Sequence, residues 1–371
     1  MKKLLYLLII LLLVSITGYA KSIQYLDIKI GKSYQPKEEI ILTSESDFYL
    51  GTRENKKIQP LNTKKFTVVF EDGKIILRNG NLTIADFPHH GEMIIGSHSP
   101  IQVENTTLKY RGGMNFRINN NQLDLINRVS MEDYLKGVVP KEMSPSFPSE
   151  ALKAQAVCSR SFALANQNKY QKYGYNLNDT TSSQVYRGLN VEKSSTNAAV
   201  QETENEILTY QGEVANAIFC ASSGGVTAAA HEVWGGKEIP YLICHKDDYS
   251  MHPWTLKLSQ EGLKNYGIGN VKDIQIVERD SSGRVQLIKI LGDNGEKTIS
   301  GNIFRSIYGN TIMKNTFFDI EKKENGFLLT GNGYGHGVGM SQYGAVEMAK
   351  SKKDYREILD FYFPGTKLVN K

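Results

Sequence analysis

Val138 to Leu164 reads VVPKEMSPSFPSEALKAQAVCSRSFAL, and this stretch decides the fold. Glu142 falls in a turn crowded by Pro140, Pro145 and Pro148. Proline fixes φ and lacks an N–H, which suits turns and the first position of a helix. A helix is therefore expected from Pro148. Ala151, Leu152, Ala154, Ala156, Val157, Phe162, Ala163 and Leu164 then put small or apolar side chains nearly all round it. Such a helix is buried on every side, so the rest of the chain must wrap it.

Arg160 lies in the middle of that helix. A buried guanidinium is too costly to leave alone. It needs an internal carboxylate or a cavity holding an anionic ligand, and both readings stand on the residues alone. Glu142 is equally two-sided: a solvated loop acid, or a carboxyl confined by its prolines.

Before this stretch, residues 21–106 read as short strands and turns. KFTVVFEDGKIILRNGNLTI alternates apolar and polar residues around Asp72-Gly73 and Asn79-Gly80, a hairpin signature. His89 and His90 are adjacent, so their side chains diverge in a strand, and they read as a surface loop. Ser130 with Asp133 three residues on resembles a capping box and opens a short helix towards Glu142.

Beyond the long helix come a polar, tyrosine-rich loop at 169–179 and a helix from about Thr196 to Glu204. A hairpin at Gln211-Gly212 follows, then a meander with turns at Ser282-Gly283 and Asn294-Gly295, and a C-terminal helix from about Asp354 to Phe363. Strand groups alternating with helical clusters predict an α+β fold: largely antiparallel strands, a buried central helix and C-terminal helices, preceded by a small β-rich segment.

The glycines at 331, 333, 335, 337 and 339 fall at every second position. On an extended backbone they would share one face and leave Asn332, Tyr334, His336, Val338 and Met340 on the other. No Gly-Lys-Ser/Thr follows, so this is not a phosphate loop. Ser341, Gln342 and Tyr343 open the next helix.

The 371 residues, 40% of them hydrophobic, suit one or two globular domains. Lys2 and Lys3 precede an apolar run from Leu4 to Val14, and Gly18-Tyr19-Ala20 offers small residues for cleavage. Residues 1–20 therefore read as a signal peptide, with an N-terminal membrane anchor as the alternative. The run is shorter than the ~20 residues of a spanning helix. Either reading exports the rest, as a secreted or anchored protein of the cell envelope. Net charge is +5, and +3 without Lys2 and Lys3, a bias too mild to imply nucleic acid. Cys158, Cys220 and Cys244 are too few for a disulfide framework. Cys158 reads as core, while Cys220 and Cys244 either pair or bind metal.

Five motifs, in order, carry a family resemblance: MEDYLKGVVPKEM, FPSEALKAQAVCSRSFAL, SSQVYRG, FCASSGG with HEVWG, and GYGHGVGMSQYGA. Together they resemble the SpoIID/LytB family of bacterial cell-wall proteins, over residues 107–371. The resemblance implies a peptidoglycan lytic transglycosylase that cuts MurNAc-GlcNAc bonds in glycan strands lacking stem peptides. It needs no cofactor, and it places the catalytic acid/base on Glu142 and the essential arginine on Arg160. Lys141 stands where the family motif has Ser. Stripped muramic acid exposes a lactyl carboxylate, so Arg160 is assigned to substrate, with Tyr186, Tyr334, His336, Gln342 and Tyr343 as further sugar contacts. Some members bind zinc near SSGG; here Cys220 and His231 are the candidate ligands, with Cys244 and His245 behind them, although their spacing follows no common zinc pattern. The alternative function is a non-catalytic wall-binding enhancer of an N-acetylmuramoyl-L-alanine amidase, which would make that amidase a partner.

Overall fold

The computed structural model describes residues 25–53, 56–88, 93–104, 106–264 and 266–370. The segment at 1–20 and the His89-His90 pair lie outside them. Strand Tyr25–Tyr34 pairs antiparallel with Gln122–Ser130, which pairs in turn with Gly113–Asn119. Leu177–Asn178 joins the other edge of the first strand in parallel. Ile94–Ser97, Phe48–Gly51 and Lys57–Pro60 complete this seven-stranded sheet. Residues 106–107, where the β-rich segment is expected to end, lie in the connection between Ile101–Val103 and Lys109–Tyr110, which pair with each other.

A six-stranded sheet built on Ile40–Thr43, Lys65–Glu71 and Lys74–Asn79 packs against the seven-stranded one. Phe48 of the first sheet meets Phe66 of the second edge to face at 4.7 Å. Glu71 pairs with Lys74 across Asp72-Gly73, both with positive φ, which is the backbone an Asp-Gly hairpin favours.

Gln122–Ser130 delivers the chain into helix α1 (Met131–Glu142). Ser130 caps it by accepting the Asp133 N–H at 3.2 Å. Helix α2 (Ser149–Ala165) follows. Pro148 takes the cap position, so the helix begins one residue later than expected, and the Pro148 carbonyl accepts from Ala151 and Leu152. Among the described residues five further α-helices follow: α3 (Ser194–Glu202), α4 (Ala230–Trp234), α5 (Gly301–Tyr308), α6 (Gln342–Lys350) and α7 (Tyr355–Tyr362). As the apolar pattern demands, α2 is enclosed by α1, α3, α6, α7 and strand Glu206–Tyr210. Ala151, Ala154, Ala156, Val157 and Cys158 have no exposed surface. Small residues let five neighbours approach one axis closely.

A second core is built from two three-stranded sheets and α5, around Trp254, Ile288, Ile290, Phe304 and Leu329. Arg284 leaves this unit and donates to the carbonyls of Ser223 and Val226 in the main body. The fold is α+β, with mostly antiparallel sheets.

The glycine-rich segment is not an extended strand. Pairing with Pro253–Ser259 ends at Asn332. Gly333, Gly335, Gly337 and Gly339 then have φ of +97°, +105°, +82° and +71°, a left-handed backbone that side chains resist. Alternate glycines therefore coil the chain instead of lining one face. A Cβ on Gly337 would also lie 2.1 Å from the Arg284 guanidinium.

Candidate active site

Glu142 is the last residue of α1, so the proline-rich turn begins just after it. Its Oε1 accepts the Val185 N–H at 3.0 Å, and the side chain of Gln342 is a second hydrogen-bond partner. Burial lifts its carboxyl above the usual carboxylate range, and these two hydrogen bonds pull partly the other way. The carbonyl-rich C-terminus of α1 adds to the upward push, since it disfavours a negative charge. The result is a half-buried acid that keeps its proton to higher pH than a solvated glutamate.

Gln342 opens α6 and is itself held. Its Nε2 donates to Gln155 Oε1 at 3.1 Å, and Gln155 Nε2 donates to Ser159 Oγ at 3.0 Å. Gln155 and Ser159 are fully buried on α2. The acid is therefore referenced to α1, α2 and α6 at once.

Beside this lies a second buried polar network. Ser341 Oγ caps α6 through the Gly344 N–H and meets Ser250 Oγ at 2.7 Å; Ser250 in turn meets Ser222 Oγ at 2.8 Å. Ser223 and Tyr362 both donate to Asp247. Tyr334 and Ser222 exchange backbone hydrogen bonds at 2.9 Å. The SSGG motif is thus a buckle between the glycine-rich loop and the start of α6.

On the surface of this buckle runs a row of rings. Tyr343 stacks on His252 (5.5 Å, 11°), His252 on Tyr334 (5.9 Å, 29°), and Phe147 meets Tyr343 edge-on at 6.4 Å. Phe147 belongs to the turn that follows Glu142, and Tyr343 adjoins Gln342, the acid's hydrogen-bond partner, so the row begins on the two segments that hold the acid. Three of the expected site residues, Gln342, Tyr343 and Tyr334, are accordingly brought to one face.

Others are placed elsewhere. Arg160 is 2% exposed, and all three of its guanidinium nitrogens donate inward. Nε and Nη2 hold the two oxygens of Glu132 at 2.9 and 2.7 Å; Nη1 and Nη2 reach the carbonyls of Glu206 and Val200. The substrate-clamp reading of Arg160 gives way to the structural one, because its donors are committed inside the protein. Glu132 is ten residues before Glu142, about 15 Å of helix away.

Tyr186 is also a core residue and not a sugar contact. Its hydroxyl donates to Asn127 at 2.7 Å, and its ring packs on Tyr134 and Tyr110. What its motif offers the acid is the neighbouring Val185 N–H, which no residue-type pattern signals. His336 turns towards Trp234, 5.0 Å away, while its Nδ1 accepts the Val338 N–H. Burial, then Arg284 and Arg305, push its pKa down to about 4, so it is neutral at neutral pH.

Cys220 is buried, with its thiol pushed up to about 11 by desolvation, and all three cysteines are free thiols. His231 sits on α4 with Nδ1 buried and, among the described residues, without a hydrogen-bond partner, and the His245 ring packs on Phe361. Among the described residues no three His, Cys, Asp or Glu side chains gather into a group that could hold a metal. Gln155, an amide among the alanines of a buried helix, is the overlooked residue that did carry a sequence signal.

Residues 119–210, which hold α1, α2, Val185 and Tyr186, match the family described as Stage II sporulation protein (SpoIID). Stage II sporulation protein D of Bacillus subtilis is 32% identical over 271 residues, covering 66% of this chain and 75% of that relative. The chain belongs to the SpoIID family. A further relative, an uncharacterized protein of Brachyspira hyodysenteriae, is 35% identical over 353 residues, 91% of this chain and 86% of its own length. The amidase enhancer of B. subtilis is 33% identical over 291 residues, 64% of this SpoIID-family chain but only 40% of the enhancer. Residues 255–339, nearly coincident with the second core, match a domain of unknown function, DUF8618.

Proposed function

We propose that this SpoIID-family chain is a peptidoglycan lytic transglycosylase acting outside the cytoplasmic membrane on glycan strands stripped of stem peptides. Family membership supports a cell-wall role, and the observation that carries the chemistry is the raised, hydrogen-bonded carboxyl of Glu142 at the head of an aromatic row. A protonated Glu142 gives its proton to the glycosidic oxygen as the bond from the MurNAc anomeric carbon breaks. The C6 hydroxyl of the same sugar then attacks that carbon and returns a proton to the Glu142 carboxylate. The product is a 1,6-anhydro end, and one carboxyl suffices because no water is activated. Gln342, Tyr343 and Tyr334 contact the sugars in this reading. Peptide-free strands incubated with the protein should yield anhydro-ended fragments by mass spectrometry; none from wild type, or undiminished yield from Glu142→Gln, defeats it.

The likeness to an amidase enhancer favours a second reading, in which the same face binds glycan and stimulates a cell-wall amidase without cutting. Amidase activity that rises on mixing, with no anhydro ends formed, would select it.

A further inference from the structure

The row of rings ends on a cation. Lys314 Nζ lies 4.6 Å from the centre of the Tyr334 ring, within cation–π range. Lys314 is half-buried, and among the described residues it forms no ion pair. Its backbone is fixed, since its carbonyl accepts the Gly335 N–H at 3.0 Å. Burial, and then Lys314 itself, lower the pKa of the neighbouring ring, His252. Lys314 therefore places an ammonium without a carboxylate partner, among the described residues, at the far end of the row from Glu142, on the rim of the second core. The arginine the sequence offered for anion recognition is spent on Glu132, so this face needs another cation if its ligand is charged.

We infer that Lys314, with His252 and Tyr334, forms a remote subsite that recognises a carboxylate-bearing sugar of the glycan strand, several rings from the bond at Glu142. This rests on the glycan reading above. A peptide-free strand carries one lactyl carboxylate in every disaccharide, so a cation at the end of the row meets a charge that chitin lacks. The stacked rings supply apolar faces and polar edges for the intervening sugars, and the ammonium supplies the charge-assisted hydrogen bond.

The test measures binding in the Glu142→Gln background, which keeps the ligand intact, using peptide-free peptidoglycan strands and chitin oligosaccharides of equal length. Lys314→Gln should weaken strand binding about tenfold and leave chitin binding unchanged, while Lys314→Arg stays within about threefold of the parent. His252→Ala, which breaks the stack, should weaken both ligands. Equal weakening of both ligands by Lys314→Gln, or no weakening of either, overturns the subsite. Strand binding by the parent without cleavage by wild type would sink only the transglycosylase chemistry. No binding of either ligand to the parent would remove the glycan reading and this subsite together.

Discussion

Half-buried Glu132 and buried Arg160 form a two-point ion pair, 2.7 and 2.9 Å between partner atoms, that joins the first turn of α1 to the middle of α2. It fixes the axis of the helix whose other end is Glu142. Two parallel hydrogen bonds define an angle as well as a distance, so the pair acts on the acid through helix orientation and not by touching substrate.

Breaking that pair on one side should be costly. Glu132→Ala leaves the Arg160 guanidinium buried with only carbonyl partners, and a loss of about 3–5 kcal/mol is expected. Urea unfolding would show it as a lower midpoint with an unchanged slope. Arg160→Lys should also destabilise, because an ammonium cannot span both oxygens. If Arg160→Lys kept full stability and lost only glycan affinity, the structural assignment would fail.

Glu142→Gln should abolish anhydro-end formation, with at least a ~10²-fold loss of rate. Stability should move the other way. In the folded protein Glu142 keeps its proton to higher pH than in the unfolded chain, so its contribution falls as pH rises from the ordinary carboxylate range through the raised value. The glutamine variant should therefore match wild type at acid pH and exceed it near neutrality. Denaturation midpoints of the two proteins across pH would check this.

Gln342 and the Val185 N–H both hydrogen-bond the ionised acid and lower its pKa. Gln342→Ala removes one of them, so the pKa of Glu142 should rise further. The alkaline limb of kcat/KM on peptide-free strands should then move to higher pH, with a reduced maximum as Gln155 Oε1 loses the Gln342 donor. An unmoved limb would mean that Gln342 serves only packing.

Gly337→Ala should destabilise by at least ~2 kcal/mol, because it combines positive φ with a clash on Arg284. Arg284→Ala should rescue part of the steric loss in the double variant. Thermal unfolding of the two single variants and the double variant separates backbone strain from the clash.

Sequence by itself determined the local elements of this chain. The apolar wheel of 149–165, the Ser130 cap and the Asp72-Gly73 hairpin are decided by contacts within a few residues, and each is where its pattern put it. Family-specific motifs also singled out Glu142, although its place at a helix end was hidden because Pro140 is tolerated in that last turn.

Tertiary structure alone decided the partners. Whether a buried arginine faces a ligand or a glutamate 28 residues earlier, whether Tyr186 lines a site or a core, and which amide holds the acid are matters of long-range juxtaposition. Periodicity carries no record of them. The alternate glycines show the same limit from the other side: spacing of two fits both a strand and a coil of left-handed residues, and in the coil Arg284 and the carbonyl of Ile218 leave no room for a side chain at Gly337 and Gly339.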